Sequence, residues 1–147
     1  MPKQPAIDLR KLYQPHSRQK LAHTAPERYV LYGGAVRGGK TIWLVNEAIQ
    51  LSLDYPGNVG YICRHELPSF RRTVLLEFER YLPFSLLQQH HQTDNYFKFK
   101  NGSLILYGGL GDDRAGVERM MGMTLGWFGI DQAEETSELH FNNLCGR

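Results

Sequence analysis

Hydrophobic and polar positions change period several times along this chain, and each change marks a predicted element. Residues 8–23 mix apolar and basic groups loosely, enough for a short helix or an ordered arm. RYVLYG (28–33) is rich in β-branched and aromatic residues and is stopped by glycine, which predicts a buried strand. From Lys40 to Leu53 the apolar positions Ile42, Val45 and Ile49, with Leu44, Ala48 and Leu51 beside them, recur at helical spacing. YPGN (55–58) predicts a turn and VGYIC (59–63) a second buried strand. A second helix is expected from Ser69 as N-cap to Leu82, where Pro83 stops it. Its apolar stripe is Phe70, Val74, Leu75, Phe78 and Leu82.

The run NYFKFKNGSLILYGG predicts a β-hairpin near residues 95–108, with Asn101-Gly102 as a type I′ turn. Residues 109–123 are glycine-rich and charged, which suits a loop or a short irregular helix. LGWFGID (125–131) predicts a strand buried on both faces and ending in an acid, and another helix is expected to begin near Thr136. Strands and helices alternating in this way predict an α/β layered domain with a mainly parallel sheet.

Composition narrows the class. The 147 residues fit one domain, and 41% apolar with 22% charged residues is enough to build a packed core. A net charge of +2 gives no global signature of nucleic-acid binding. Arg64, Arg71, Arg72, Lys98 and Lys100 remain as local surface candidates for DNA contact. Cys63 and Cys145 make neither a zinc pattern nor a disulfide framework, and Cys63 is expected to pack as a small hydrophobe. The polar N-terminus carries no signal peptide, and no window is apolar over the roughly 18 residues a membrane helix needs. A soluble, intracellular protein is expected.

The candidate chemistry lies in YGGAVRGGKT (32–41). Gly34, Gly39, Lys40 and Thr41 match G-x-x-x-x-G-K-[ST], between a predicted strand and a predicted helix. Glycines let successive backbone N–H groups point inward at phosphate oxygens, and a helix N-terminus adds its positive dipole end. The loop Gly34, Ala35, Val36, Arg37, Gly38, Gly39, Lys40 and Thr41 is thus a candidate phosphate cradle. Lys40 would supply charge to the β- and γ-phosphates, and the Thr41 hydroxyl a ligand for Mg²⁺. Hydrolysis also needs an acid at a neighbouring strand end and a group that aligns water. Asp131 is the candidate for the first. Gln132, Glu134 and Glu135 are candidates for the second, Gln being the poorer base.

Taken in order, these segments resemble the ATPase domain of the phage large terminase subunit, the motor that packages DNA into procapsids. QPHSRQKLAHTAPERYVLYGG is similar to the family's lead-in, YGGAVRGGKT to its arginine-bearing phosphate loop, ICRHELPSFRRTVLLEF to the segment after its second strand, and RMMGMTLGWFGIDQAEE to its R-x-x-G followed by strand and acid. The resemblance implies a P-loop NTPase fold of the additional-strand catalytic-glutamate type and ATP with Mg²⁺ as ligands. It implies that Gln19 contacts adenine and that an arginine stabilises the γ-phosphate. Arg37 and Arg119 are the candidates for that arginine, with Arg114 behind them. Arg37 stands two positions before Gly39, whereas the family sets its arginine three before, where this chain has Val36.

The family also implies double-stranded DNA, a portal protein and a small terminase subunit as partners, a homo-oligomeric ring, and the host-cell cytoplasm. It predicts an N-terminal arm with an adenine-side segment over 1–27 and an ATPase domain over 28–147. That domain would be incomplete at its C-terminus, lacking the coupling motif and nuclease domain, so the chain would be part of a larger protein. Two alternatives are another P-loop enzyme, helicase-like or a nucleotide kinase, and a catalytically silent nucleotide-binding assembly module.

Overall fold

The computed structural model describes residues 8–111 and 122–146. After a short 3-10 turn at Leu9–Lys11, the α-helices are α1 (Ser17–His23), α2 (Lys40–Asp54), α3 (Leu67–Arg72), α4 (Val74–Tyr81) and α5 (Glu138–Cys145). The strands are β1 (Val59–Arg64), β2 (Leu87–His91), β3 (Tyr96–Phe99), β4 (Leu104–Gly109) and β5 (Trp127–Ile130). They form one sheet in the order β2-β3-β4-β1-β5. β1 pairs in parallel with both β4 and β5, whereas β2-β3 and β3-β4 are antiparallel. The protein is α/β, with the parallel half of the sheet at one edge and the hairpin strands at the other.

β1 reads as an unbroken apolar run because both its faces are covered. Ile62 points into a core with Val45 and Ile49 of α2, Phe70 of α3, Phe78 of α4 and Ile105 of β4. Tyr61 and Cys63 point the other way, into a smaller cluster with Leu110 and Leu144. Cys63 is fully buried, as a small hydrophobe would be.

Several expectations need correction. Residues 28–33 join no ladder: Val30 is 40% and Leu31 87% exposed. The segment lines an open groove of about 1000 Å³, whose far wall is β5. β5 is therefore an edge strand among the described residues, half-buried rather than covered on both faces. The second helix is capped by Glu66, not Ser69, with Pro68 in its first turn. It also breaks at Thr73, whose hydroxyl donates back to the Ser69 carbonyl at 2.7 Å and competes with the helical pattern. Of the two turn residues Asn101 and Gly102, only Gly102 has positive φ, at 89°. Gly102 N–H donates to the Phe99 carbonyl and Phe99 N–H to the Ser103 carbonyl, so the connection is a turn closed by a glycine bulge rather than type I′. The polar strand β2 has no counterpart among the predicted elements.

Candidate nucleotide site at the strand ends

Gly34 (φ 131°), Arg37 (φ 67°) and Gly39 (φ 72°) bend the loop between the segment 28–33 and α2. At Gly39 a Cβ would stand 2.6 Å from Gln19 Nε2, so this position requires glycine for space as well as for φ. The Lys40 ammonium donates across the loop to the Gly34 carbonyl at 2.9 Å. Gly38 N–H donates to the Ala35 carbonyl at 3.1 Å, closing a tight turn over Val36 and Arg37.

Three side chains hold the loop from outside. Gln19 Nε2 donates to the Gly39 carbonyl at 2.9 Å, while its Oε1 accepts from His16 N–H at 3.0 Å. The Tyr32 hydroxyl donates to the Gly38 carbonyl at 3.1 Å, and His16 Nε2 lies 3.3 Å from the same oxygen. Tyr32 also stacks on Trp43 of α2, ring centres 5.3 Å apart. α1 is fixed in turn by the His23–Glu47 pair to α2 and by the Tyr13 hydroxyl on His23 Nε2 at 2.9 Å. Gln19 is only 4% exposed, and both ends of its carboxamide are engaged within the protein. Its visible work is on the loop, and a base contact would come in addition. Arg37 and Gln19 both line a cavity of about 710 Å³ between α1, Tyr81 and the loop.

Asp131 stands where the sequence predicts, at the end of β5, and the Thr41 hydroxyl donates to its Oδ1 at 2.8 Å. Asp131 N–H extends the β1–β5 ladder by donating to the Cys63 carbonyl at 2.8 Å. Burial raises the Asp131 carboxyl above its ordinary value; the Thr41 hydrogen bond and the Arg64 charge oppose that rise, and Glu134 and Glu135 add to it. Gln132, at φ 55°, reverses the chain so that the turn Ala133–Glu135 folds back toward the strand ends.

The two glutamates part company there. Glu134 lines the groove together with Lys40, Thr41 and Asp131. Glu135 is taken by Arg64, with Nε to Oε2 at 3.4 Å and Nη2 to Oε1 at 3.3 Å. Arg64 is not the surface DNA candidate expected from sequence: its side chain is 14% exposed. Arg71, Arg72 and Lys100 are exposed, Arg71 being tied to Asn95 and the Gln92 carbonyl, and Lys98 is half-buried. Arg114 and Arg119 lie outside the described residues.

Among the described residues no three His, Cys, Asp or Glu side chains cluster closely enough to hold a metal. Thr41 and Asp131 nevertheless supply two adjacent oxygens, the partial set that suits Mg²⁺, which fills its remaining positions with substrate phosphate and water. No helix among the described residues is long and apolar enough to cross a membrane.

No family model matches the chain, and no curated protein does. Solved structures do. The large terminase from a thermophilic bacteriophage is 21% identical with a TM-score of 0.78, over 91% of this chain and 36% of that one. The same protein in complex with ADP is 20% identical with a TM-score of 0.74, over 89% and 35%. In complex with ATP-γ-S the values are 20% and 0.68, over 88% and 34%. The chain thus spans about a third of the length of these neighbours, and over nearly all of its own length it has the fold of a phage large terminase.

Proposed function

We propose that the chain binds ATP with Mg²⁺ in the loop 34–41 and hydrolyses it as the motor part of a terminase-type DNA-packaging protein. The observation that carries this reading is the Thr41–Asp131 hydrogen bond of 2.8 Å, which joins residues ninety positions apart at one end of the sheet. The binding of ADP and ATP-γ-S by structural neighbours supports it.

In this reading the backbone amides from Gly34 to Thr41, with the N-terminus of α2, bind the phosphates. Lys40 leaves the Gly34 carbonyl for the β- and γ-phosphates. Thr41 and Asp131 would hold Mg²⁺, which when bound offsets the charge of the phosphate oxygens. Glu134, facing the same groove, accepts a hydrogen bond from the attacking water and orients it in line with the γ-phosphate. Gln132 is the substitute for that role, and Arg37 or Arg119 is the arginine that meets the γ-phosphate charge. Work on double-stranded DNA, a ring of copies, and a portal protein and small terminase subunit as partners in the host cytoplasm belong to the same proposal, supported by the fold likeness.

Binding of fluorescent ATP and ADP to the chain and to Lys40→Ala tests it. Losing one charge-assisted contact predicts about a 10–100-fold weaker complex. Unchanged affinity overturns the reading, whereas binding without any phosphate release favours the silent assembly module.

A further inference from the structure

The β1–β5 register pairs Cys63 with Ile130, so the next residues on the two strands, Arg64 and Asp131, emerge side by side at the end of the sheet. Asp131, Glu134 and Glu135 fall within five positions there, and the charges of both glutamates act on Asp131. Arg64 is the cation between Asp131 and Glu135. Its guanidinium grips Glu135 on both oxygens, donates from Nη1 to the Thr73 hydroxyl at 3.1 Å, and leaves the same Nη1 3.9 Å from Asp131 Oδ2. Thr73 in turn anchors on the Ser69 carbonyl at the break between α3 and α4. Every nitrogen of the fork faces an oxygen, and its planar geometry is what a two-oxygen grip needs.

The consequence is a division of labour between neighbouring glutamates. A carboxylate held on both oxygens by a guanidinium is fixed in place, and Glu135 does not line the groove that Glu134 lines. With Glu135 drawn to the Thr73 side, the short turn presents Glu134 to the groove that holds Lys40, Thr41 and Asp131. We propose that Arg64 is the positioning residue of this site: by fixing Glu135 and bracing Asp131 it sets the turn that aims Glu134 at the attacking water. It also ties the geometry of that turn to the α3–α4 break. This inference rests on the hydrolytic reading above and assigns Arg64 no contact with nucleotide.

Aluminium fluoride with ADP and Mg²⁺ mimics the in-line transition state, so the gain in ADP affinity that it confers reports alignment without requiring turnover. Arg64→Ala, Arg64→Lys and Glu135→Ala should leave affinity for ADP alone within about twofold of the unaltered chain and cut the gain about tenfold or more. Lys keeps the charge but not the fork, so it should not rescue. The Arg64→Ala/Glu135→Ala pair should lose no more than either change alone. Melting temperatures identify any variant that is merely unfolded, and Arg64→Lys and Glu135→Ala carry the test if Arg64→Ala is. The inference is overturned if the gain survives in the variants, if ADP affinity falls in step with it, or if the paired losses multiply. An unaltered chain that binds ADP yet gains nothing from aluminium fluoride refutes the hydrolytic reading and this inference together.

Discussion

Gln19→Ala separates two roles for one buried side chain. In the structure the carboxamide donates one hydrogen bond to the Gly39 carbonyl and accepts one from His16 N–H. Each contributes about 0.5–1.5 kcal/mol net. The Gly39 carbonyl keeps a second donor, Trp43 N–H at 2.9 Å, so its loss of Gln19 does not strand it. The expected cost is therefore about 1–2 kcal/mol in holding the loop, with no added penalty for a buried orphan. That corresponds to a melting temperature lower by roughly 2–8 °C. It also corresponds to phosphate-ligand affinity lower by about 5–30-fold. A role confined to the loop requires ATP, GTP and inorganic triphosphate to weaken by the same factor. Competition against a fluorescent nucleotide measures all three. A loss confined to ATP, with triphosphate unaffected, would show that Gln19 reads adenine and that the loop clamp is incidental.

Other outcomes follow from burial and close approach. A Cβ at Gly60 would lie 1.9 Å from the Trp127 ring, so Gly60→Ala should push β5 from β1 and cost about 1–3 kcal/mol or more, read as a lower denaturant midpoint. Burial, with the Asp131 charge behind it, pushes the Cys63 thiol far above the ordinary range. Alkylation of the folded chain at mildly alkaline pH should therefore modify only Cys145, and Cys63 should react only after denaturation. Asp131, raised above 3.8 chiefly by burial, holds its proton to higher pH folded than unfolded. Its contribution to stability is full below that ordinary value and lost as pH rises through the folded one. The always neutral Asp131→Asn should thus be more stable than the parent near neutral pH, with the gap closing on acidification in denaturant titrations. A gap that widens toward acid would refute this sign.

What the sequence disclosed depends on whether a signal is local. α2 and β1 are legible because an apolar period and a fully covered strand write themselves into consecutive residues, and the Asn101-Gly102 hairpin is legible apart from its turn type. The loop 34–41 and Asp131 stand out in the sequence because a phosphate-binding motif fixes residue types at fixed spacing, and the structure brings Thr41 and Asp131 together. The segment 28–33 has the composition of a strand, yet strand pairing is decided by neighbours, and no described strand pairs with it. β2 is invisible in the sequence because an edge strand, LQQHH here, needs only Leu87 in the core. The break at Thr73 depends on one hydroxyl. The place of Arg64 beside Asp131 comes from the parallel pairing of two strands far apart in the chain, and a signal does exist: one buried run ends in arginine and the other in aspartate. The 710 Å³ cavity beside α1 has no sequence signal beyond Gln19 itself.

The central claim is that Thr41 and Asp131 converge to serve one cation beside the loop. Affinity for ATP-γ-S, with and without Mg²⁺, in the parent chain, Thr41→Ala and Asp131→Asn tests it most directly. Mg²⁺ should tighten binding to the parent and do nothing for either variant, while affinity without Mg²⁺ stays alike in all three. Variants that respond to Mg²⁺ as fully as the parent would contradict the account.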